Sequence, residues 1–203
     1  MKKNKNDNLT KEEYEFFEDW YTLEKYTFKI LSVVTILADE KRAYRGTLND
    51  FCKFLEIQSS SANKQKIKET LEWLAANNYT RVITDNNIYT ISLAATAEKN
   101  TKIIKIKTAW YMLIRTNSGK DSWANTLKVF LKLVDMSSDD TITYKKLGEL
   151  LNMSVATVQR CVKTIASIDF VDFRIFPRPI NKKDISGNYC GLGMVYQKMI
   201  IFE

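Results

Sequence analysis

Residues 147–174, LGELLNMSVATVQRCVKTIASIDFVDFR, leave few choices of fold. Leu147, Leu150 and Leu151 recur at helical spacing, and Asn152-Met153-Ser154 interrupts them. Ser154 is a good N-cap, because its hydroxyl can accept a bond from an orphan amide of the next helix. That helix carries Val158, Val162 and Ile165 on one face, the i, i+4, i+7 stripe of a half-buried helix. The other face carries Ala156, Thr157, Gln159, Arg160, Lys163 and Thr164. After Ile168 the pattern changes to Phe170, Val171, Phe173 and Ile175, which is β-rich.

A short helix, a tight turn, a second helix with a polar-basic face and a strand make the layout of a helix-turn-helix with a wing. The stretch resembles the winged helix-turn-helix superfamily. Leu147, Leu150, Leu151 and Met153 match its first helix and turn. Ser154-Val155-Ala156-Thr157-Val158-Gln159-Arg160 matches the S-x-x-T-V-x-R of many bacterial members, with Val162, Lys163 and Ile165 continuing the helix. Val171 and Arg174 enter the hairpin. Asp169 stands where many members have glycine, and the wing is longer than usual.

The first half follows the same order. Residues 10–26, TKEEYEFFEDWYTLEKY, are predicted as a helix opened by a Thr10/Glu13 capping box. It is acidic, and Tyr14, Phe16, Phe17, Trp20 and Tyr21 give it a large aromatic area. It either docks on its own domain or meets a partner, a second copy or a replication protein, since aromatic anchors concentrate at interfaces. Residues 28–38 are a core helix and 39–46 a charged connection. Thr47 caps a helix with Leu48, Phe51, Cys52 and Leu55. Residues 62–77 form a second helix with Ile67, Leu71 and Leu74 inward. Residues 79–84 and 88–93 are a hairpin around Asp85-Asn86-Asn87. In the second half, 102–107 alternates like a strand, 109–115 is a short helix and 123–136 the second core helix. From Phe176 on, Pro177, Pro179, Gly187, Gly191 and Gly193 predict a long loop before a final strand at 194–202. The expected fold is therefore mainly α with small β-hairpins, an α+β chain of two tandem winged-helix domains. Residues 1–9 are a disordered lead-in, 10–94 the first domain, 95–101 a linker and 102–203 the second domain.

Composition narrows the function. The chain of 203 residues has no histidine, which removes histidine acid-base chemistry and histidine metal ligands. Cys52, Cys161 and Cys190 are widely spaced and fit neither a disulfide framework nor a zinc site. With no Gly-rich phosphate loop and no metal-spaced carboxylates, an enzyme is not expected, and neither a cofactor nor a small-molecule substrate is assigned. No apolar run is long enough for a membrane span, and the lead-in lacks a signal-like core, so a cytoplasmic protein is expected. The net charge of +7, with pI ≈ 9.2, favours a polyanionic partner.

Double-stranded DNA is the expected partner. A helix of this kind fits the major groove with its N-terminal residues nearest the bases. Arg160 suits guanine; Gln159, Gln65 and Asn63 suit adenine. Ser154 and Thr157 can reach a base or phosphate, and Ala156 leaves room for a thymine methyl. Lys163, Arg174, Arg178, Lys182 and Lys183 are assigned to phosphates. So are Lys64, Lys66 and Lys68 of the first domain, where Ser61 opens the corresponding face. Two such domains resemble the initiator proteins of theta-replicating plasmids and replication organisers of phages and mobile elements. That resemblance implies a replication initiation or maintenance role, and the Lys-, Asn- and Ile-rich composition suits a low-GC bacterium. A transcriptional regulator on the same scaffold and a winged-helix protein-interaction module remain the alternatives.

Overall fold

The computed structural model describes residues 11–94, 101–137, 140–170, 173–183 and 189–200. The chain is an α+β protein of two compact units, Met1–Thr108 and Ala109–Glu203.

In the first unit the strand Glu13–Phe17 (β1) is followed by a short 3-10 turn, Glu18–Thr22, and the core helix Lys25–Leu37 (α1). The strand Ala43–Gly46 (β2) leads to two helices, Leu48–Phe54 (α2) and Ser61–Ala76 (α3), and a hairpin of Thr80–Asp85 (β3) and Ile88–Leu93 (β4). The sheet order is β2-β4-β3. Thr47 and Asp50 form a reciprocal capping box that starts α2. Asn86 and Asn87 take positive φ, 46° and 63°, which a two-residue hairpin turn with the right twist requires. Ile30, Val34, Phe51, Ile67, Leu71, Leu74 and Ile91 close the core.

The acidic aromatic stretch is not one helix. In β1, Glu13 is exposed while Tyr14 and Phe16 are buried, a period of two rather than 3.6. Its partner is the strand Ile103–Lys107 (β5), in antiparallel register with Tyr14 opposite Ile106 and Phe16 opposite Ile104. On the other face Glu15 and Lys105 are opposite one another and pair at 3.5 Å. Two alternating strands of opposite charge satisfy each other's backbone as well as their apolar faces, which a lone helix here would not. Tyr14, Phe16, Phe17, Trp20 and Tyr21 are all buried, as the docked alternative expects, and form no exposed aromatic face. The pairing also places 103–107 with the first unit rather than at the head of the second. Residues 1–9 and most of the expected linker, 95–100, lie outside the described residues.

The second unit repeats the plan. The helix Thr108–Asn117 (α4) begins at its boundary, and Trp123–Asp135 (α5) is its core helix. A strand, Thr141–Thr143 (β6), precedes Tyr144–Leu151 (α6) and Val155–Ser167 (α7). The strands Phe173–Lys183 (β7) and Tyr189–Ile200 (β8) complete a sheet of order β6-β8-β7. In both units a core helix, a short strand, two helices and a hairpin follow one another, and the short strand joins the last strand. This is winged-helix topology. Where it is described, the expected loop after Phe176 is instead strand: Pro177 pairs with Tyr196 and Pro179 with Met194, and 184–188 lie outside the described residues. β7 is an edge strand, and prolines two residues apart lack their N–H on the same side of it, so one side of the strand keeps its donors for the ladder. Proline there is compatible with the ladder, not a break in it. Among the described residues no helix is long and apolar enough to cross a membrane.

Gly148 shows how tightly α6 meets the turn after it. A Cβ built there would lie 2.7 Å from the Met153 carbonyl oxygen, a backbone atom with little room to move. Alanine normally gains about 1 kcal/mol over glycine in a helix. Overpacking costs about 1–3 kcal/mol, so the clash should win. Gly148→Ala is expected to lower the thermal unfolding midpoint of the second unit; a rise would mean the turn yields freely.

Candidate nucleic-acid interface

The candidate surface is built on α7. Two features of the preceding turn fix its direction. Asn152 ends α6 in the left-handed conformation, φ 52°, which asparagine tolerates, and the Met153 N–H bonds the Gly148 carbonyl at 2.9 Å. Ser154 then caps α7, its Oγ accepting the Thr157 N–H at 3.2 Å. Val158, Cys161, Val162 and Ile165 are buried, so the positions between them face outward.

Ala156, Gln159, Arg160 and Lys163 form one exposed stripe at i, i+3, i+4 and i+7. Ser154 is exposed at its head. Thr157 is half-buried, and its hydroxyl lies 2.9 Å from Ser154 Oγ, so it belongs to the cap as much as to the surface. Arg160 folds back along the helix: Nε donates to the Ala156 carbonyl at 3.3 Å and a terminal N–H to Thr157 Oγ1 at 3.4 Å. Both contacts are long and exposed, hence weak. Arg160 pairs with no carboxylate among the described residues. The whole of α7 contains no acidic residue.

Val155 was not singled out by sequence reasoning, yet it is 43% exposed beside Ala156 in the first turn. Its spacing from Val158 and Val162 suggests an inward residue. Its position directly after the cap, where the helix end projects beyond the core, is the signal that points outward. An apolar group there suits a thymine methyl.

Of the wing cations, Arg174 is the one whose side chain is described. Arg174 is exposed on β7 but pairs with Asp169 at 2.8 Å. An exposed pair of this kind is worth at most about 1 kcal/mol, so a phosphate could displace Asp169. Arg178, Lys182 and Lys183 have their backbone in β7; their side chains lie outside the described residues.

The first unit arranges its candidates differently. Ser60, not Ser61, is the N-cap of α3, accepting the Asn63 N–H at 3.2 Å, and Ser61 is the exposed first residue of that helix. The Asn63 side-chain amide donates to the Gln58 carbonyl at 2.8 Å, and Gln65 donates to Glu69 at 2.9 Å. Lys66 lies 4.3 Å from the centre of the Tyr26 ring, a cation-π contact, and Lys68 pairs with Glu72 at 3.8 Å. Lys64 is half-buried. Lys66 and Lys68 thus face an aromatic ring and Glu72 of their own unit, and Gln65 faces Glu69. The two helices occupy equivalent places, but only α7 presents cation and amide without interleaved acid.

No family model and no curated protein matches this chain. Among solved structures, the chain is similar to the crystal structure of selenomethionine derivatives of domain 2 and domain 3 of RctB. The identity is 9% and the TM-score 0.42, over 92% of this chain and 91% of that one.

Proposed function

We propose that the protein is a sequence-specific double-stranded DNA-binding protein that reads the major groove with α7. The observation that carries this is the acid-free stripe Ala156, Gln159, Arg160 and Lys163 on a capped helix. The stripe combines a small residue that allows close approach, an amide, a guanidinium and an ammonium. Arg160 pairs bidentately with guanine, Gln159 with adenine, and Ala156 with Val155 contacts a thymine methyl. Lys163 neutralises a phosphate and sets register without reading sequence. The first unit is the weaker reader, because neighbouring glutamates occupy Gln65 and Lys68. The biological role that fits two such units in tandem is replication initiation or maintenance on a plasmid, phage or mobile element. A transcriptional regulator would use the same contacts, and the position of the bound site in the genome separates the two.

The test is selection from a random duplex pool at physiological salt, followed by titration of the enriched site. Arg160→Ala is expected to weaken specific binding by about 1–3 kcal/mol and to relax one position of the site. Lys163→Ala should weaken binding to every duplex similarly and reduce the salt slope by about one. An Arg160→Ala variant that binds its site unchanged would show that α7 does not dock as proposed. The absence of any enriched site, with binding that vanishes as salt rises, would leave only charge-driven association.

A further inference from the structure

Each core helix buries one lysine. Lys29 of α1 is 6% exposed and Lys128 of α5 is 2% exposed. Lys29 Nζ lies 3.3 Å from the Leu55 carbonyl oxygen, and Lys128 Nζ lies 3.4 Å from the Leu151 carbonyl oxygen. These carbonyls hold the same place in the two units. Leu55 closes α2 and Leu151 is the last residue of α6. Both helices then end alike. A left-handed residue follows, Glu56 at φ 57° or Asn152 at φ 52°. The next amide bonds back to the helix, Ile57 to Cys52 at 3.0 Å and Met153 to Gly148 at 2.9 Å.

Burying an ammonium is costly, and an apolar side chain of the same length would fill either position. What the lysine adds is a positive charge at the negative end of a helix, on a carbonyl that has no partner within that helix. The same device occurs at equivalent places in two units whose surrounding sequences differ, so it is tied to the turn rather than to local packing. The turn sets the direction in which Ser154 and the α7 stripe leave the core. We propose that Lys128 is a positioning residue: its ammonium pins the end of α6 to α5 and so fixes how α7 is presented to DNA, with Lys29 holding the equivalent turn of the first unit. This inference rests on the DNA-reading role of α7.

The test compares wild type with Lys128→Met, which keeps the length and removes the charge, and Lys128→Gln, which keeps an N–H donor. Each is titrated with the selected site and with an unrelated duplex, and amide exchange is followed along Met153–Val158. Lys128→Met is expected to lose about ten-fold in affinity for the site, the worth of a hydrogen bond to a charged group. Its affinity for the unrelated duplex should be unchanged. Exchange should quicken in the turn and not in α5, and Lys128→Gln should recover part of both effects. An unchanged ratio of specific to unrelated binding with unchanged exchange would overturn the proposal. So would equal losses in both variants, since packing alone would then explain them. If the wild type selects no site, the DNA reading fails by itself. The exchange result then decides the clamp: faster exchange confined to the turn upholds it, and unchanged exchange removes it.

Discussion

Phe130→Ala is expected to cost the second unit about 3–5 kcal/mol, the usual range for truncating a buried phenylalanine. Phe130 is fully buried in the middle of α5. Its ring stacks on Phe170 with centroids 5.1 Å apart, and meets the edges of Phe173 at 4.9 Å and Trp110 at 5.6 Å. Phe170 and Phe173 also meet edge to face at 5.6 Å. One ring therefore ties α4, α5, the segment after α7 and the start of β7 together. Each aromatic contact adds about 0.5–1.5 kcal/mol beyond the area it buries. The ring partners of Phe130 are themselves held by one another, and four elements meeting at one point cannot all collapse toward it. A marginal unit has about 5–15 kcal/mol in total, so the loss is a large share. Denaturant unfolding should show a lower midpoint, and amides of α5 and α7 should exchange faster. A cost below about 1 kcal/mol would mean the cluster repacks and does not anchor the wing.

The elements that were legible in the sequence are those specified by near neighbours. Thr47 with Asp50, Ser154 with Thr157, and the Asn86-Asn87 turn each close a bond or a turn within a few residues, and each does so in the structure. The α7 stripe was legible for the same reason, since Val158, Val162 and Ile165 fix its opposite face. The strand β1 was not. Glutamates between aromatic residues read as an acidic helix, and the partner that makes them a strand, β5, lies far along the chain. β2 and β6, of four and three residues, are too short for a pattern and exist because β4 and β8 offer edges. Pro177 and Pro179 read as breakers because sequence does not say which strand is an edge. The Lys66 contact with Tyr26 was not legible, because the two residues are far apart in the chain, whereas Lys68 and Glu72 can pair on i, i+4 spacing alone. Nothing local marks Lys29 or Lys128 as facing a helix end.

Lys128 also makes the stability of the second unit depend on pH in an unusual direction. Burial pulls its ammonium down from 10.5 to about 8, since removing the charge from water penalises the protonated form. Between those values the unfolded chain holds a proton that the folded chain has released. Stability from this group therefore rises with pH across that window. Below about 8 both states are protonated, and the full cost of burying the charge is present. The gap corresponds to about 1.4 kcal/mol per pH unit, on the order of 3 kcal/mol in all, of which about 2 should be recovered by pH 9.5. Lys128→Met has no such proton. The expected result is that Lys128→Met compares most favourably with wild type near pH 7 and loses about 2 kcal/mol of that relative standing by pH 9.5. Taking the difference between the two proteins cancels the other groups. Tyr14, Tyr26, Tyr44 and Tyr79 are pushed upward by burial, so they withdraw stability only as pH rises past 10, outside the interval measured. A difference that stays flat from pH 7 to 9.5 would mean that the folded-state pKa is not lowered, because the Leu151 carbonyl and its helix end stabilise the charge by at least as much as burial costs it. The clamp would then orient α7 without lowering stability at neutral pH.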